Sequence, residues 1–151
     1  MRQRFGIAVG ITALLATVDL VVQASVAGNP GLAHHRTVAW MVLSFGILAV
    51  VLGSAALPSR LLAATAGILG GGLAGNLGSA LIHHRVIPNP FVAGDIAFNL
   101  ADAFVVVGLV TGGVAVMHVA HRYRHLLPRH TIPVRIARYL AARVKAEQEV
   151  S

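Results

Sequence analysis

The sequence predicts an all-α integral membrane protein: a four-transmembrane-helix bundle with both termini cytoplasmic and a basic C-terminal tail. Three observations lead there. Hydrophobic residues make up 56% of the 151 residues and charged residues only 11%, against the share of about 25% usual in soluble domains. Four stretches have the length, roughly 20 apolar residues, that crosses a bilayer. The basic residues are also distributed unevenly. With an even number of helices, Arg2, Arg4, Arg60 and seven residues after Ala120 share one side, and only Arg36 and Arg85 lie on the other. Ten against two places both termini in the cytoplasm. The net charge of +7 is then mostly inner-leaflet charge, suited to anionic lipid, and no nucleic-acid partner is expected. The chain has no cysteine, which excludes disulfides, thiolate catalysis and thiolate-held metals.

The first span is expected over residues 5–27, FGIAVGITALLATVDLVVQASVA. Arg2 and Arg4 ahead of it, and Ser25-Val26-Ala27 before Gly28, also resemble a cleavable signal peptide. The apolar run is long for that, and Asp19 interrupts its end. The connection GNPGLAHHR cannot continue a helix through Asn-Pro-Gly. The second span covers residues 37–57, and Leu57-Pro58-Ser59-Arg60 makes a tight turn into the third, residues 61–82. That third segment is glycine-rich. Gly71 and Gly75 stand four apart, as do Ala74 and Gly78, a spacing of small residues that lets helices approach closely in lipid. Pro88 and Pro90 hold the next connection extended, so the fourth span, residues 96–120, starts beyond Gly94. One transmembrane domain thus fills residues 1–120. In the tail, residues 121–151, Ile132, Ile136, Tyr139, Leu140 and Val144 fall on one helical face and Arg135, Arg138 and Arg143 largely elsewhere. The tail reads either as an amphipathic helix on the inner leaflet or as a solvated basic segment.

Acidic residues are scarce, which gives their placement weight. The aspartates are Asp19, Asp95 and Asp102, and the two glutamates stand near the C-terminus. An ionised aspartate at the bilayer centre costs about 2.5–3.5 kcal/mol on insertion scales and usually has a task there. By position along their spans, all three aspartates belong to the outer half of the membrane. Two carboxylates held close do not both ionise easily, so a pair offers an acid and a base together and can activate water without a metal. Asp95 has a plainer reading as the N-cap of the fourth helix, and Asp102 as the partner of an asparagine, a backbone amide or Arg85. On one continuous helix, seven residues would separate Asp95 from Asp102 by about 10.5 Å, so a dyad requires the helix to begin after Asp95 and Gly94-Asp95 to fold back over its end.

These residues resemble a known family. FNLADA, residues 98–103, is similar to the signature that opens the last helix of lipoprotein signal peptidase (signal peptidase II). VAGDI, residues 92–96, resembles the motif leading to that family's other aspartate. GGGLAGNL, residues 70–77, resembles its glycine-rich helix, and Asn29-Pro30-Gly31-Leu32-Ala33 its first external loop, with Asp19 near the end of helix one. The resemblance is closest over residues 70–108. It implies an aspartyl endopeptidase of the bacterial plasma membrane, without cofactor, that removes signal peptides from lipid-modified prolipoproteins. Asp95 and Asp102 would be its catalytic pair, Asn76 and Asn99 would orient them or hold substrate, and Asn29 and Asp19 would support the site; the family's arginine after Gly-Asn-Leu is missing here, and Arg85, further along, is the residue that would supply its charge. The chain departs from the family where Gly78-Ser79-Ala80 replaces a residue followed by Asp-Arg, and where the two aspartates stand closer in sequence.

Three other readings remain open. A non-catalytic relative would keep the site as a binding or scaffold element. A proton-coupled carrier would use the intramembrane acids, although four helices without a duplicated half make a thin transporter. A metal site could draw on His34, His35, His83 and His84, but adjacent histidines diverge and a tetrahedral site needs convergent ligands; no metal is expected.

Overall fold

The four apolar stretches form helices that end where local chemistry stops them. The computed structural model describes residues 1–26, 33–57 and 59–122. Helix α1 is Arg2–Val26, α2 is Val38–Gly53 followed by a 3-10 turn at Ser54–Ala56, α3 is Arg60–Ile82 and α4 is Leu100–Arg122. All four are long and apolar enough to cross a membrane, α2 together with its 3-10 turn: this is a multi-pass membrane protein. Helices α2 and α3 begin at hydroxyl caps. Thr37 accepts a hydrogen bond from the Trp40 amide, and Ser59 from the Leu62 amide, each satisfying an amide with no partner inside the helix.

Steps of four residues organise the bundle. Gly67, Gly71 and Gly75 of α3 lie against Ile11, Leu15 and Asp19 of α1. The two series ascend together, so α1 and α3 run parallel. Against α4 the order reverses: Gly72 meets Ala101 and Val105, while Gly108 meets Leu69, so α4 runs antiparallel to α3. A Cβ on Gly71 would stand 2.6 Å from Leu15 Cβ, and one on Gly108 2.6 Å from the Leu69 backbone. The glycines therefore set the helix separations. Helix α3 is the most buried of the four spans, while α2 and α4 expose Val42, Phe45, Val50, Val106, Val110 and Met117, the surface expected to face lipid.

The connections are more ordered than a pure helical bundle requires. Strand β1 (His34–His35) pairs antiparallel with β2 (Val86–Ile87), tying the α1–α2 connection to the α3–α4 connection. Strands β3 (Phe91–Ala93) and β4 (Ile96–Phe98) form a hairpin with Ala93 opposite Ile96. Its two-residue turn is Gly94-Asp95, with Gly94 at φ +60, the geometry in which glycine leads a primed turn. The tilted rings of Phe91 and Phe98, 5.7 Å between centroids, close its base.

These strands correct the expected boundaries. The fourth helix starts at Leu100 rather than residue 96, because residues 96–98 pair in the hairpin. Asp95 is therefore not its N-cap. The first helix takes in Arg2, and the second ends at Gly53 before its 3-10 turn. By internal contacts the chain divides into Met1–Met117 and His118–Ser151. Of the second unit only the end of α4, to Arg122, is described, so the expected amphipathic tail lies outside the described residues.

Candidate functional site

The start of α4 is where the buried polar groups meet. Asn99 precedes the helix and Asp102 follows three residues later, and the two cap each other. The Asp102 amide donates to Asn99 Oδ1 at 2.8 Å, and the Asn99 amide donates to Asp102 Oδ2 at 3.3 Å. This is a capping box built from asparagine and aspartate. Asn76 of α3 fastens it to the bundle: its Nδ2 donates to Asp102 Oδ1 at 3.0 Å, and its Oδ1 accepts from Asn99 Nδ2 at 2.9 Å.

Asp19 serves the same helix end from α1. It is fully buried, and its Oδ1 accepts from the Ala101 amide at 2.9 Å, another of the amides that α4 cannot satisfy internally. Its Oδ2 accepts from Gln23 Nε2 at 2.7 Å, and Gln23 Oε1 accepts from Ser79 Oγ at 2.6 Å. Gln23 is one turn beyond Asp19 and so shares its face. Two carboxylates thus stand at the N-terminus of α4, where the helix dipole favours negative charge. Both acids have a structural occupation, but they differ in access. Asp19 is sealed, whereas Asp102 is half-buried. Each Asp102 oxygen accepts one of these hydrogen bonds, and a carboxylate offers about four lone-pair positions. It retains capacity for a water or a peptide amide.

Neither Asp95 nor Arg85 makes any of these side-chain hydrogen bonds. Asp95 is exposed at the hairpin tip, and about 13 Å of extended backbone separates it from Asn99. Gly94-Asp95 forms the turn of the β3–β4 hairpin, and the three residues of β4 stand between that turn and Asn99. Arg85 follows α3 and lines a groove against α2 rather than the Asp102 cluster. Asn29 lies outside the described residues. His34 and His35 occupy successive positions of β1, and no group of three metal-capable side chains gathers among the described residues.

Sequence reasoning missed Gln23, Ser79 and Asn89, and considered His34 only as a metal ligand. Asn89 is 1% exposed; its Nδ2 stands 2.6 Å from His34 Nδ1, while its Oδ1 is buried without a partner. With the amide donating, the His34 ring carries its proton on Nε2. Ser79 had a signal, since it continues the four-residue series of Gly67, Gly71 and Gly75. Compared with known proteins, the chain matches no family model, no curated protein and no solved structure.

Proposed function

We propose that this chain is an intramembrane aspartyl endopeptidase of signal peptidase II type, acting on lipid-modified prolipoproteins at the outer face of a bacterial plasma membrane. The observation that carries the reading is the meeting of Asp102, Asn76 and Asn99 at the start of α4, backed by Asp19. These are four of the residues the sequence resemblance singles out. Asp102 is the reachable acid: ionised it would accept a proton from the attacking water, and protonated it would donate to the scissile carbonyl oxygen. Asn76 and Asn99 hold it, and Asp19 fixes the helix end beneath it. Asp95 would supply the second carboxylate through a rearrangement of the β3–β4 hairpin that brings its tip towards Asp102. The uneven distribution of basic residues supports cytoplasmic termini and an outward-facing site, with the basic tail on the anionic inner leaflet.

A second reading is favoured by the exposed position of Asp95. If the hairpin stays extended, one reachable carboxylate remains, and the protein binds lipid-modified peptides without cutting them. The two are separated by incubating purified full-length protein in detergent with a diacylglyceryl-modified prolipoprotein, beside Asp95→Asn and Asp102→Asn. The peptidase reading expects cleavage that either substitution reduces by at least about 100-fold, the lower range for a positioned acid or base. Binding without cleavage, weakened by Asp102→Asn alone, would establish the second reading.

A further inference from the structure

Between α2 and α3 the bundle carries a groove of about 670 Å³, within the range of small-ligand sites. Its walls are apolar: Met41 and Phe45 from α2, Leu77 and Leu81 from α3. Its mouth is not. His84 and Arg85 line the end nearest the β1–β2 sheet.

The backbone holds these two residues there in an uncommon conformation. Both have positive φ, 52 for His84 and 73 for Arg85, a region that side chains other than glycine rarely occupy. Helix α3 ends in a turn in which the Arg85 amide donates to the Ala80 carbonyl at 2.6 Å, a Schellman closure whose left-handed position usually belongs to glycine. The Arg36 amide donates to the Arg85 carbonyl at 2.8 Å, which fixes the turn from the neighbouring connection. Arg36 itself packs its guanidinium over Trp40, 4.8 Å from the ring centroid. Asp19 and Asp102 are committed to the start of α4, and Asp95 is at the hairpin tip. The groove mouth therefore carries cationic capacity above an apolar slot, in a protein that spans a membrane.

We propose that this groove binds a membrane phospholipid of net negative headgroup, one acyl chain lying between α2 and α3 and the phosphate on the Arg85 guanidinium. Arginine suits a phosphate because its planar fork donates two parallel hydrogen bonds. An anionic headgroup is favoured over a zwitterionic one because a choline would bring a second cation to the same mouth. The proposal does not depend on peptidase activity.

The test is native mass spectrometry of the full-length protein, purified in mild detergent and equilibrated with equal amounts of phosphatidylglycerol and phosphatidylcholine of matched chains. Retained phosphatidylglycerol is expected to exceed phosphatidylcholine. Arg85→Gln should lower its occupancy about tenfold, the effect of one lost charge-assisted contact. Leu81→Trp, which fills the slot, should remove both lipids, and Asp102→Asn should change neither. Equal retention of the two lipids by the unsubstituted protein would overturn the headgroup assignment without recourse to any variant. Undiminished retention by Leu81→Trp would overturn the groove. Displacement of the phospholipid by a diacylglyceryl-modified peptide would assign the slot to substrate instead.

Discussion

Asp19 and Asp102 show how an acid inside a membrane span can earn its place structurally. Each accepts a hydrogen bond from a backbone amide at the start of α4 and another from a side-chain amide. Replacement of Asp19 by alanine would strand the Ala101 amide and the Gln23 amide together, so Asp19→Ala is expected to lower stability by about 2–4 kcal/mol, read as a drop in thermal unfolding in detergent. Asp19→Asn is expected to be much milder. The Gln23 amide can flip, presenting Oε1 to the new amide and Nε2 to Ser79, whose hydroxyl then accepts instead of donating. A large loss with asparagine as well would assign the Asp19 charge a role beyond these hydrogen bonds. The sequence reveals the acids because they interrupt apolar runs. It does not reveal that Gln23 and Ser79 are partners, because they meet only through the α1–α3 register. Asp95 and Asp102 lie close in sequence, but β4 runs between them, and three residues give too short a pattern to announce a strand there.

At the scale of the element, the helices were legible and the connections were not. Long apolar runs mark spans whatever their neighbours do, but Pro88 and Pro90 marked the connection as extended without showing that its residues pair into two short sheets. The hairpin turn depends on Gly94 at φ +60. Gly94→Asn, which tolerates that region, should preserve the hairpin, while Gly94→Val should open it; proteolysis near residue 95 would distinguish them. The glycines of the helices divide into two kinds. A methyl group on Gly72 would collide with the Ala101 carbonyl and the Val105 backbone, so Gly72→Ala should destabilise by about 1–3 kcal/mol. Nothing stands within 4 Å of a Cβ on Gly46, so Gly46→Ala should be neutral or stabilising by up to about 1 kcal/mol. Thermal unfolding of the two variants in one detergent is the comparison. Equal losses would show that close approach at Gly72 does not set the α3–α4 separation.

For the whole molecule, the absence of cysteine makes orientation directly measurable. Single substitutions His35→Cys and Leu57→Cys introduce one thiol each at opposite ends of α2. With cytoplasmic termini, an impermeant maleimide applied to intact cells should label the first and spare the second until the membrane is opened; the reverse pattern would invert the topology. The parallel course of α1 and α3 also bears on biosynthesis. Synthesis reaches α3 before α4, and until Leu100–Arg122 emerges, Asn76 and the bare face at Gly72 have no protein to cover them. Lipid cannot satisfy such groups. Nascent chains stalled between residues 82 and 100 should therefore remain cross-linkable to the insertion machinery and be degraded when released, whereas chains that include α4 should depart into the bilayer. Maturation would then hinge on α4, which covers these groups as well as completing the site.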